Sequence, residues 1–149
     1  MTMTDVAPEI KTLEILKEQK IDASIDLVFE TILEELGPNS VDGAGKPMSM
    51  KIEPFPGGRW YRDLGNNNGH FWGTVQVIKP PTLIELSGPM FMSYPAINHV
   101  QYRLKADGKA TQLSFAHRAF GLLAEEHMKG VRMGWDQILQ RIVKAAEKR

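Results

Sequence analysis

The stretch VQYRLKADGKATQLSFAHRA, residues 100–119, decides the architecture. Val100, Tyr102 and Leu104 alternate with Gln101, Arg103 and Lys105, which is the period of a strand with one buried and one wet face. Asp107-Gly108 comes next, a pair that tight hairpin turns favour because it tolerates positive φ. The run after the turn places Leu113, Phe115, His117 and Ala119 on one face. Two antiparallel strands therefore share an apolar side, and that side has to be covered by something else in the chain.

Outward from this hairpin the same period of two extends from Met48 to Gly121, cut by turn residues into about six runs of strand length. Met48, Met50 and Ile52 form one run, and the Pro56-Gly57-Gly58 turn leads into Arg59 to Leu64. Asn66 to Gly69 make the next turn. His70 to Ile78 ends at Pro80-Pro81, and Leu83 to Ser87 follows. Upstream, Ser24 is a good helix N-cap, with Asp26 in the first turn and Ile25, Val28, Phe29, Ile32, Leu33 and Leu36 at helical spacing before Gly37-Pro38. At the far end, about Leu122 to Lys148 is the longest helix, with a stripe of Met128, Val131, Trp135, Ile138, Ile142 and Ala145. Gly130 and Gly134 weaken it, and their place beside Trp135 predicts the close approach of another element or of a ligand. Glu9 to Ile21 fits a strand and a helix about equally well.

Composition bounds the function. The 149 residues carry 18 Lys+Arg against 18 Asp+Glu and no cysteine, so disulfides and thiolate metal sites are excluded and a global electrostatic grip on nucleic acid is not expected. The length predicts a single domain over 1–149. The opening MTMTDVAPEIK has no basic-then-apolar targeting pattern, and no run of about 20 apolar residues spans a bilayer, so a soluble cytoplasmic protein is expected.

A twisted antiparallel sheet curled around one long helix leaves a gap between them, commonly a ligand pocket of roughly 300–1,000 Å³. If Trp60 points into it, alternation brings Arg62 and Leu64 to the same side. His117 shares the face of Phe115, and core packing and pocket lining remain equal alternatives for it; for Arg62 the alternatives are a rim salt bridge and ligand contact. The apolar stretch GPMFMSYPA, residues 88–96, has no regular period and is read as a mouth or lid. No chemistry-bearing motif stands out. His70, His99, His117 and His127 lack metal-ligand spacing, GAGKP lacks the ending of a phosphate loop, and there is no GxSxG elbow. No metal, cofactor or catalytic residue is expected.

The motifs PGGRWYRDLG at 56–65, GHFWGTVQVIKPPTLIELSGP at 69–89, FAHRAFG at 115–121 and HMKGVRMGWDQIL at 127–139 resemble the SRPBCC, or START-like, superfamily. Within it the resemblance is to the branch named after the activator of the heat-shock-protein-90 ATPase homologue, which is also polyketide-cyclase-like. It implies an α+β helix-grip fold, a curved antiparallel sheet wrapped around a long C-terminal helix, and makes Glu9 to Ile21 mostly strand. It also implies a deep cavity used for lipids, polyketides and other apolar molecules. On that basis Trp60, Phe91, Tyr102, Phe115, Met128 and Trp135 are the expected walls, with Arg62 and His117 as polar anchors, and the expected partner is a small hydrophobic molecule. A cyclase- or hydrolase-like enzyme built on His117 with Tyr102 or Arg62 is the alternative, as is an interaction module for a chaperone or a regulator through residues 88–96. The co-chaperone that names the branch has a further N-terminal domain, for which 149 residues leave no room, so chaperone stimulation and a stress-response role are weaker expectations. A homodimer is left open.

Overall fold

A computed structural model describes residues 8–149. The opening MTMTDVA, read above as lacking a targeting pattern, lies outside the described residues. The elements run β1 (Lys11–Ile21), α1 (Ile25–Leu36), β2 (Met50–Ile52), β3 (Arg59–Gly65), β4 (Asn68–Lys79), β5 (Leu83–Gly88), β6 (Ala96–Asp107), β7 (Ala110–Gly121) and α2 (Glu125–Glu147). All strands join one antiparallel seven-stranded sheet in the order β1-β7-β6-β5-β4-β3-β2, so the segment that periodicity left ambiguous is the strand that closes one edge.

The hairpin of β6 and β7 behaves as its alternation dictates. Leu104 faces Leu113, Tyr102 faces Phe115 and Val100 faces His117, all six buried beneath the helices. α1 starts where the Ser24 hydroxyl accepts the Leu27 N–H, and it buries Val28, Phe29, Ile32 and Leu36. It packs beside α2, which also contacts β1, so the two helices together cover the sheet. α2 buries Met128, Val131, Trp135, Leu139, Ile142 and Ala146. This corrects the expected stripe in its second half. Apolar residues stand at both 138 and 139 and at both 145 and 146, and a 3.6-residue turn carried forward from Trp135 selects Leu139 and Ala146 for the core.

Two β-bulges in the β3–β4 pairing re-aim side chains. Between Asp63 and Gly65 the register skips Leu64, which is 58% exposed instead of facing inward as simple alternation predicts. Opposite the Trp60/Tyr61 step the register skips Trp72, which leaves Phe71 facing out and brings the Trp72 indole against Trp60 with ring centroids 5.0 Å apart. At the neighbouring Gly73 and Gly88 the backbones of β4 and β5 come so close that a Cβ on Gly73 would lie 2.4 Å from the Ser87 carbonyl oxygen. Gly88 takes φ +153°, and the chain leaves the sheet there to cross the open end of the fold.

Candidate functional site

The sheet and α2 do not meet everywhere. On the β3 and β4 side an apolar cavity of about 70 Å³ remains. Its walls are Trp60 of β3, Trp72 of β4, Phe91 of the β5–β6 connection, and Trp135 and Ile138 of α2, closed at the end by Leu36 and Met48. Glu35 of α1 and Arg141 of α2 also border it. This is well below the size expected from the sequence, because the aromatic rings fill most of the gap that sheet curvature opens. Trp135 lies tilted against Phe115 at 4.6 Å and Trp72 stands edge-on to Phe91 at 5.5 Å.

The polar atoms of this wall are unequally served. Trp60 Nε1 donates to the Leu36 carbonyl at 2.9 Å, and Trp135 Nε1 donates to His117 Nδ1 at 2.8 Å. Trp72 Nε1 is buried with no partner. Burial raises the Glu35 carboxyl above its ordinary pKa, while the nearby Arg141 guanidinium pulls it the other way. Among the described residues no group of three or more metal-ligating side chains is clustered.

His117 is fully buried and lies behind the cavity. Because its Nδ1 accepts from Trp135, its proton sits on Nε2, which donates to Asn98 Oδ1 at 2.7 Å. Of the two alternatives left open for it, core packing and pocket lining, the structure places it in the core, with side chains rather than a backbone carbonyl as its partners. Desolvation pushes its pKa down to about 4, and protonation of Nδ1 would set two donors against each other at Trp135. Tyr102 is also sealed, its hydroxyl unpartnered and its pKa raised by burial, and Phe115 packs between it and Trp135. Met128 is buried further toward the start of α2, beside Leu13 and Leu123. Arg62 sits half-buried at the sheet rim, its Nε donating to the Met48 carbonyl at 3.0 Å. Of the eight residues singled out from the sequence, Trp60, Phe91 and Trp135 border the cavity.

Residues 89–95 fold over the core. Met90 and Met92 are buried, Met90 in a left-handed conformation at φ +54° with its N–H on the Trp72 carbonyl. Asn98 Nδ2 donates to the Pro89 carbonyl at 3.2 Å, and the Tyr94 hydroxyl stands 2.7 Å from His127 Nδ1. Phe91 is held between these anchors, half-buried, its ring edge-on to Trp72, His117 and His127. On its other side lies an open groove of about 350 Å³ floored by Gly130 and Gly134. A Cβ on either glycine would meet nothing within 4 Å, so no other element of the described residues approaches there, and the glycines leave space instead. Phe91, Trp135 and Ile138 border both the groove and the inner cavity.

Sequence reasoning missed Trp72, Glu35 and Arg141 at this site. Trp72 is missed because a bulge leaves no residue-level signature, and nothing in the spacing of the two charged residues marks them off from other charged positions on a helix.

The family described as activator of Hsp90 ATPase homolog 1-like protein matches residues 22–147. No curated protein sequence matches the chain. Among solved structures, CalU16 from Micromonospora echinospora is 21% identical, with a TM-score of 0.61 over 92% of this chain and 81% of that one. An uncharacterized protein from Rhizobium leguminosarum is 14% identical, with a TM-score of 0.70 over 97% of this chain and 100% of that one. The Aha1 dimer from Colwellia psychrerythraea is 18% identical, with a TM-score of 0.60 over 91% and 96%. These likenesses establish the helix-grip arrangement of a curved sheet around a C-terminal helix.

Proposed function

The chain belongs to the family of activator of Hsp90 ATPase homolog 1-like proteins, and from that premise we propose that it is a non-enzymatic binding protein for a small apolar or aromatic molecule held between the sheet and α2. The observation that carries this reading is the cavity walled by Trp60, Trp72, Phe91 and Trp135, at a junction the chain's own side chains leave unfilled. Interiors are normally packed to crystal density, and burying ligand surface against such walls contributes about 25 cal/mol per Å² before association costs. A dry apolar cavity of about 150 Å³ admits benzene. The inner space is smaller than that, so uptake requires the Phe91 ring to move and join it to the groove over Gly130 and Gly134. In this reading Tyr102, Phe115, His117 and Met128 support the walls from behind, and Arg62 ties the rim of the sheet to the Met48 segment.

Native mass spectrometry of gently purified protein, followed by displacement of an environment-sensitive dye, tests the reading. A retained small molecule or displacement by aromatic compounds is expected. No uptake from a broad lipid and aromatic panel would contradict it.

A cyclase-like reaction is the second reading, favoured by Glu35, whose raised carboxyl pKa on the cavity wall is the direction a general acid needs. It predicts that Glu35→Gln abolishes turnover of a bound polyketone while leaving its affinity unchanged. Turnover by Glu35→Gln at the wild-type rate would remove it.

A further inference from the structure

We propose that Trp72 is the polar anchor of this site and that the ligand is a flat aromatic molecule bearing an uncharged hydrogen-bond acceptor, such as a ring ketone or quinone oxygen. The inference rests on the binding reading above and deepens it. Buried N–H groups are almost always bonded, so an orphan calls for an explanation. Around this cavity the other indole donors are occupied, Trp60 Nε1 by Leu36 and Trp135 Nε1 by His117, while Arg141 places one of its five N–H groups on the Val41 carbonyl at 3.4 Å. The Ser40 hydroxyl lies against Met48 Sδ. Trp72 Nε1 is the buried donor of this wall with no partner.

Its placement follows from a specific backbone feature. Trp72 is the extra residue of the bulge opposite Trp60 and Tyr61, so a ladder position is given up and the indole faces the helix side. Phenylalanine would supply similar apolar surface with no unmet donor. Around Trp72 the faces and edges of Trp60 and Phe91 stand nearly perpendicular, at 83° and 79°, a setting that receives a flat π-system edge-to-face. An acceptor on such a ring would complete the one bond this wall lacks, and Phe91 is the partition that the ring displaces on entering from the glycine-floored groove.

The test compares 1-indanone with its hydrocarbon parent indane. The chain has three tryptophans, so its ¹H–¹⁵N spectrum contains three indole signals, and the one missing in Trp72→Phe is that of Trp72. Indanone is expected to move this signal downfield where indane does not, and to bind roughly tenfold tighter. In Trp72→Phe the two should bind alike. The affinity ratio is read in the wild type, so the test stands even if the variant folds poorly. Equal affinities, or an unmoved Trp72 signal with indanone bound, would mean that Nε1 takes no part in recognition; that overturns the anchor and leaves the binding reading intact. If neither compound nor any dye binds the wild type or Phe91→Ala, the binding reading fails and the anchor with it.

Discussion

Beneath α2 the interior differs from one side to the other. Toward β1, β6 and β7, Leu113, Phe115, Tyr102, Val100 and Ile142 are at most 2% exposed, and the buried His117 has both ring nitrogens engaged, by Asn98 and Trp135. Toward β3 and β4, three indoles and Phe91 enclose a void, one indole N–H is unmet, and the helix surface outside is stripped to glycine. Trp135 belongs to both sides, bonded to His117 on one and forming the cavity wall on the other. The sealed side supplies the rigidity against which the other can stay incompletely packed. A ligand site is expected where local order is bought least completely by the chain itself.

Truncation separates the two sides most strongly. Phe115→Ala should cost about 3–5 kcal/mol in denaturant unfolding, the range for emptying a closed aromatic site. Phe91→Ala should cost less than half of that, because its ring already borders open space on the groove side. Equal losses would erase the distinction.

Acid provides the next largest effect. His117 is held neutral when folded, with a pKa near 4 against an ordinary 6.5, so the unfolded chain takes up the proton first as pH falls. Its contribution is complete above pH 6.5 and is lost progressively down to pH 4, by about 3 kcal/mol in all for the one extra proton the unfolded chain binds, at a slope of ~1.4 kcal/mol per pH unit. His117→Leu should remove that part of the slope, and an unchanged slope in this variant would contradict the assignment.

Asn98 joins the sealed side to the strap that carries Phe91. Asn98→Ala leaves the His117 Nε2–H and the Pro89 carbonyl without their partner and should cost about 2 kcal/mol. It should also speed amide exchange in residues 89–95 more than in β7. The smallest effect is of opposite sign. Gly130→Ala should stabilise by about 0.5–1 kcal/mol, since the methyl meets nothing and the helix gains propensity. A loss of stability would mean that a neighbour does approach there.

Much of the sealed side was legible because it obeys simple periods. The alternation through Val100, Tyr102 and Leu104, the Asp107-Gly108 turn and the Ser24 cap each map directly onto what forms. The strand identity of Lys11–Ile21 came from family likeness, since its pattern satisfied two periods at once. The open side was legible in part. Trp60, Phe91 and Trp135 were expected as walls from the family likeness, with the aperiodic apolar loop pointing to Phe91 and the helical stripe to Trp135, and all three border the cavity. Trp72 was not, because a bulge inverts the face of every residue beyond it and depends on pairing between strands. The cavity's volume is likewise a sum over how several rings tilt, which no single residue encodes.

The central claim is that a guest enters between sheet and α2 on the β3–β4 side. A crystal structure of the protein grown with saturating 1-indanone tests it most directly. The account predicts ligand density between Trp60, Trp72 and Trp135, with the Phe91 ring turned toward Gly130 and the His117 side unchanged. Density confined to the outer surface, with Phe91 in place and the inner cavity no larger, would contradict it.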